Sequence, residues 1–341
     1  VNYPWSVIGG RSNCGCDFGW NVWGSHAGVT THEAEIRDDF RAMAELGAEV
    51  VRWFVWTDGR GGVRWTPDGR VAGVADRTFD DLDAALEIAR DAGIRLCLVL
   101  FDFSWMIPRV HRDADGGVRG ETHPDEIASA DGQARIFSGL VDPLVSRYAR
   151  RGWRADLSGT IHSIDVINEP DWVTRGMAWR PRIFARDRVR RPFDRAELIA
   201  LVRGVADRVH AQMDALVTVG GAQLAFAGLW DHAAFGLDVI QLHLYPDIRR
   251  LERDRALLYG PASALGLSKP VLIGEFPGNG DRRHPRGHRP PPRPPAQYIS
   301  HARAAGYLGA WPWSFKGVDE FGAVEPASRL QGHEATRPAP R

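Results

Sequence analysis

IHSIDVINEPDW, Ile161 to Trp172, sets an apolar, β-branched run against an abrupt polar end. The run reads as a buried strand that stops on an amide, a carboxylate and then a proline, which has no backbone donor to continue a ladder. A charge at the end of such a strand is costly unless something there uses it, so Asn168 and Glu169 point to chemistry at the strand's C-terminal end.

Working outward, short β-branched or aromatic runs alternate with longer amphipathic segments along the chain, the pattern of repeated βα units around a parallel sheet. Candidate strands lie at Tyr3 to Ile8, Glu49 to Trp56, Arg95 to Phe103, Ile161 to Asn168, Leu216 to Gly220, Val239 to Tyr245, Val271 to Glu275 and Tyr307 to Trp313. Between them, HEAEIRDDFRAMAELG puts Ile36, Phe40, Met43 and Leu46 on one face, and Thr30 with Glu33 has the spacing of a capping box. A second helix follows Thr78 in the same manner and should stop at Gly93, and a third starts at Asp194 and Glu197.

Eight such units predict one α/β domain over residues 1–341, a closed (β/α)8 TIM barrel with long βα loops, because closure leaves no sheet edge. The Pro- and Arg-rich stretch 281–297 is too rich in proline for helix or central strand and reads as a mobile loop after the seventh strand. Beyond Lys316 periodicity fades, so 318–341 is expected to be irregular and the eighth helix short or absent.

Forty-four per cent hydrophobic and 25% charged residues suit a globular chain with a large core. The 43 basic and 43 acidic residues cancel, so no global field draws nucleic acid or an anionic membrane, and neither is expected as a partner. No apolar run approaches the roughly 20 residues a bilayer crossing needs. No leader precedes the first strand, which is read as cytoplasmic location; the start at Val1 leaves secretion after leader removal as the alternative. Three cysteines imply no disulfide framework: Cys97 sits in the apolar run IRLCLVLF, and Cys14 and Cys16 lack partners at zinc-finger spacing.

In a barrel of this type reacting groups come from the C-terminal ends of strands. VLIGEFPG delivers Glu275 there, repeating the grammar of Glu169. Two glutamates at the mouths of separate strands meet the needs of glycoside hydrolysis, one protonated and one ionised. The bland reading of either alone is a salt-bridged carboxylate at the rim; matching contexts argue against it for both. In DVIQLHLYP, His243 and Tyr245 share a face just before a proline. Arg52, amid the apolar neighbours of EVVRWFVW, demands a carboxylate partner. Trp311 and Trp313 share a face at the end of the last strand, where an aromatic plane can stack on a sugar, although with 13 tryptophans some are merely core.

Arg52, Asn168-Glu169-Pro170, His243-Leu244-Tyr245, Glu275 and Trp313, in this order over essentially the whole chain, resemble the signature of clan A glycoside hydrolases, closest to the cellulase and mannanase type of family five. The resemblance implies a retaining hydrolase of O-glycosidic, β-linked carbohydrate with no cofactor. Glu169 matches the acid/base and Glu275 the nucleophile. Asn168 matches the residue bonding the sugar 2-hydroxyl. Arg52 and Tyr245 match the partners of the nucleophile, His243 a cleft residue near the acid/base, and Trp313 the sugar platform. Where members often carry a histidine after the third strand, this chain has Asp102-Phe103-Ser104-Trp105, so Asp102 and Trp105 are taken as cleft candidates, with Asp17 from the first loop and Trp311. Two rival readings stand beside this one. The first is a metal-dependent barrel enzyme using Glu169, His243, Glu275 and Asp102, and the second a carbohydrate-binding barrel without catalysis.

Overall fold

The computed structural model describes residues 1–4, 16–107, 111–112, 118–120, 124–177, 191–245, 260–279, 294–317 and 323–324. In chain order its strands are β1 (Val50–Phe54), β2 (Val63–Trp65), β3 (Val71–Val74), β4 (Arg95–Asp102), β5 (His111–Arg112), β6 (Val118–Gly120), β7 (Ile161–Asn168), β8 (Leu216–Gly221), β9 (Ile240–His243), β10 (Val271–Pro277) and β11 (Ala310–Trp313). Seven of them form one parallel sheet in the order β1-β4-β7-β8-β9-β10-β11. β2–β3 and β5–β6 are antiparallel hairpins placed in the loops that follow β1 and β4.

The sheet closes through the first residues of the chain. Asn2 bridges Arg52 in parallel register, Tyr3 N–H donates to the Arg52 carbonyl (2.9 Å) and Arg52 N–H to the Val1 carbonyl (2.9 Å). On the other side Asn2 N–H donates to the Pro312 carbonyl (3.1 Å). A one-bridge strand therefore joins β1 to β11 and completes a (β/α)8 barrel. Among the described residues this pairing runs from Val1 to Tyr3 and so starts before the expected Tyr3 to Ile8; residues 5–15, with most of that expected strand, lie outside the described set. All of 318–341 but 323–324, and all of 281–297 but 294–297, lie outside it as well.

Helices cross between successive strands, as parallel neighbours require. Helix Glu33–Glu45 buries Ile36, Phe40 and Met43, as its periodicity predicts, but Thr30 does not cap it. His32 holds the cap position without a side-chain bond, and Thr30 donates through N–H (2.8 Å) and Oγ1 (2.7 Å) to buried Asp81. Similarly, Thr78 is the first residue of helix Thr78–Asp91, with left-handed Arg77 before it, while Gly93 (φ 72°) follows its end as expected. The capping box of Asp194 and Glu197 is formed on helix Arg195–Gln212. Pro295 to Gln297, expected in a loop, begin helix Pro295–Ala304. Proline is tolerated in the first turn because its missing N–H would have no helical partner there.

Cys97 is a buried free thiol whose pKa burial pushes up to about 12, and Cys16 is disulfide-bonded, a bridge the odd cysteine count did not suggest. Among the described residues no helix is long and apolar enough to cross a membrane.

Candidate active site

Arg52 is the hub. Fully buried on β1, it could not be tolerated alone, and β7 and β10 supply its partners. Its Nε and Nη2 donate to Asp165 Oδ2 at 3.0 and 2.8 Å, its Nη1 to Glu275 Oε1 at 2.7 Å, and its Nη2 to Asn168 Oδ1 at 2.7 Å. Asp165 was not singled out by sequence reasoning, although a lone acid inside IHSIDVIN is the complement of a lone arginine inside EVVRWFVW.

A bulge aims Glu275. β10 pairs with β9 as Ile273↔Leu242, then slips one residue so that Glu275 falls opposite His243. The skipped residue is Gly274, where a Cβ would lie 2.3 Å from Gln241 Cγ. Glu275 Oε2 accepts from the Tyr245 hydroxyl at 2.7 Å, so its two oxygens are held by Tyr245 and Arg52.

Glu169 lies just past β7 in the left-handed region, φ 50° and ψ 42°, a conformation uncommon for a side chain of this size. Its N–H donates to the Gly220 carbonyl at 2.7 Å, and Trp172 N–H donates to its carbonyl at 3.2 Å, so both flanks fix the twist. The twist breaks strand alternation and lets Asn168 and Glu169 face one cleft. Trp172 Nε1 donates to Glu169 Oε2 (2.8 Å), and Oε1 lies 3.0 Å from His243 Nδ1. The same Nδ1 is 3.5 Å from Glu275 Oε1. Glu169, His243 and Glu275 each offer one ligand-type atom, all within 4.8 Å of one another, a set that could also hold a metal ion.

Asp102, at the end of β4, belongs to this layer: Asn168 Nδ2 donates to its Oδ2 (2.7 Å) and Ser104 N–H to its Oδ1 (2.9 Å). Burial raises its pKa to about 6 against those bonds. Asp171, fully buried two residues after Glu169, accepts from Ala222 N–H (3.0 Å). Burial raises its pKa to about 7, and the nearby Glu169 charge adds to the rise.

The other candidates separate by depth. Trp313 packs with Phe54, Val99 and Tyr245 directly under the polar layer, and a cis peptide bond follows it. Trp311 does not join the site. It lies with Val50, Cys97, Val239 and Leu272 at the opposite end of the barrel, edge-on to His162, because the strand reaches the mouth only two residues later. Trp105 is core: fully buried against Phe101 and Trp65, it donates Nε1–H to the Trp56 carbonyl (2.7 Å). Asp17 is likewise buried, accepting from Trp53 Nε1 (2.7 Å).

With this geometry in view, solved structures supply the comparison. The endo-1,4-β-mannanase of Eisenia fetida superposes with a TM-score of 0.66 at 19% identity, covering 97% of this chain and 90% of that one. The β-mannanase of the blue mussel Mytilus edulis gives 0.66 at 18%, covering 95% and 88%. The β-1,4-mannanase of the sea hare Aplysia kurodai gives 0.64 at 16%, covering 91% and 93%. The chain shares their fold. No protein-family model matches it, and no curated protein does. The fold expected from the motif resemblance thus has a counterpart in solved structures.

Proposed function

We propose that the chain is a retaining glycoside hydrolase acting on β-linked oligo- or polysaccharide through Glu169 and Glu275. The observation that carries the reading is the approach of an oxygen of each glutamate to within 4.8 Å across the barrel mouth, Glu275 held by Arg52 and Tyr245 and Glu169 by Trp172. A separation near 5 to 5.5 Å suits a double displacement, whereas an inverting pair needs roughly 6.5 to 9.5 Å to admit a water.

In the first step the Glu275 carboxylate, held in place by Arg52 and Tyr245, attacks the anomeric carbon while protonated Glu169 donates to the leaving oxygen. In the second, Glu169 takes a proton from water, which releases the sugar from Glu275. Asn168 spends one N–H on Asp102 and its carbonyl on Arg52, leaving the second N–H for a sugar hydroxyl. Trp313 supplies the apolar plane beneath the reacting ring. Because the solved structures named above are β-mannanases, β-1,4-mannan is the first polysaccharide to test.

Azide separates the two roles on an activated aryl glycoside. Glu275→Ala should yield a glycosyl azide of inverted configuration and Glu169→Ala one of retained configuration; a wild-type product of inverted configuration would overturn the mechanism. The metal-dependent reading rests on the same Glu169, His243 and Glu275 atoms, and full activity after exhaustive treatment with a strong chelator would remove it.

A further inference from the structure

Gln241 is buried on β9 between the arginine layer and His243, and its amide can point only one way. Asp165 Oδ2 lies 2.8 Å from one end of that amide and already accepts from Arg52 Nε and Nη2, while Asp165 Oδ1 accepts from Gly220 N–H (3.1 Å). With three N–H groups already directed at this carboxylate, a donor is the end of the amide that complements it, so the Gln241 atom facing it is the nitrogen. That nitrogen also lies 3.3 Å from His243 Nε2. Its second N–H therefore points at Nε2, which must accept, and the ring proton falls on Nδ1, toward Glu169 Oε1.

Two glycines make room for this pair. A Cβ on Gly220 would meet His243 Nε2 at 2.6 Å, and one on Gly274 would meet Gln241 Cδ at 2.5 Å. The reverse amide orientation would set two acceptors face to face at Asp165. In the observed one, Gln241 Oε1 has no hydrogen-bond partner among the described residues, a cost the orientation carries.

We infer that Gln241 is a positioning residue that locks His243 in the Nδ1–H tautomer, so that His243 donates to Glu169 and never accepts its proton. The inference rests on the glycosidase reading for its consequence: the acid proton of Glu169 is left for the departing oxygen instead of being shared with the imidazole. The same proton occupies the ring nitrogen that a metal ion would need.

Nitrogen-15 NMR of the full chain labelled at histidine tests the tautomer without reference to activity. At neutral pH the wild-type His243 should show a protonated, pyrrole-type Nδ1 and a pyridine-type Nε2. In Gln241→Met, which keeps the length and removes the N–H, signals of the Nε2-protonated form should appear. A wild-type ring protonated on Nε2, or an unchanged pattern in Gln241→Met, would overturn the lock; the wild-type spectrum alone decides if the variant fails to fold. For the consequence, Gln241→Met should lose about tenfold or more in kcat on glycosides with poor leaving groups while staying within about twofold on activated aryl glycosides. An equal loss on both would refute the link to Glu169 even with the tautomer confirmed. Absence of hydrolysis by wild-type protein would instead sink the glycosidase reading and leave the NMR result standing.

Discussion

Trp311 and Trp313 lie two residues apart on one strand, on the same side of it, yet they belong to different chemistries. Trp311 joins Val50, Cys97, Val239 and Leu272 in a hydrocarbon layer, whereas Trp313 joins Phe54, Val99 and Tyr245, the last of which holds Glu275. β1 makes the same contrast, with Val50 in the lower layer and Arg52 in the upper. The lower end is stabilised by removing apolar surface from water, a contribution that tolerates exchange among side chains of similar volume. The upper end depends on named pairs around Arg52, where losing one partner strands another. Height along a strand, more than residue type, therefore separates structural from chemical positions.

The contrast breaks most sharply at Glu275. Glu275→Ala should lower turnover by at least about 10^4-fold while the chain still folds, since Arg52 keeps Asp165 as its buried counter-charge. Circular dichroism beside kinetics on the true substrate checks this, and retention of full activity would disprove the assignment. Arg52→Leu comes next. It leaves Asp165 buried with no cation and should cost about 3 to 5 kcal/mol in urea unfolding as well as activity. A stability like that of wild type would mean the arginine layer is not what holds the mouth together.

Much of the upper layer can be read from the chain because its residues break a pattern. Glu169 and Glu275 are charges ending apolar runs, and Arg52 is a cation inside one. What escapes is pairing and depth. Asp165 sits 113 positions from Arg52, and nothing local announces that the two strands are brought to the same height. Gly274 looks like an ordinary strand glycine until the bulge shows Gln241 filling its Cβ space. Trp105 and Asp17 share the residue types of cleft contacts, but packing with Phe101 and Trp65, and with Trp53, turns them inward. The first strand leaves a fainter mark for a related reason: among the described residues its pairing is the bridge from Asn2, too little to leave a periodic signature.

A smaller effect separates the layers by pH. Asp171 has a folded pKa of about 7 against an ordinary value of 3.8, raised first by burial, so the folded state holds its proton where the unfolded chain has lost it. The stability this proton confers is complete below about pH 4 and is lost as pH rises toward 7. Asp171→Asn keeps an oxygen for Ala222 N–H and has no proton to lose, so its stability relative to wild type should improve from pH 4 to 7. The improvement is at most about 4 kcal/mol. Melting curves across that range test it, and a difference independent of pH would show that the carboxyl does not titrate there.

The smallest expected effects come from the tryptophan pair and sharpen the comparison most directly. Trp311→Phe and Trp313→Phe remove similar surface, so each should cost about 1 to 3 kcal/mol of stability. Only Trp313→Phe should also reduce kcat/KM, by roughly tenfold, through loss of indole area against the sugar. Trp311 is not expected to show that effect, because its ring packs with Val50, Cys97, Val239 and Leu272 instead of with the partners of Glu275. Equal kinetic losses in the two variants would mean the barrel interior transmits strain from one end to the other, and the division by height would fail; a loss confined to Trp313→Phe would fix the boundary between the layers within a single turn of the strand's alternation.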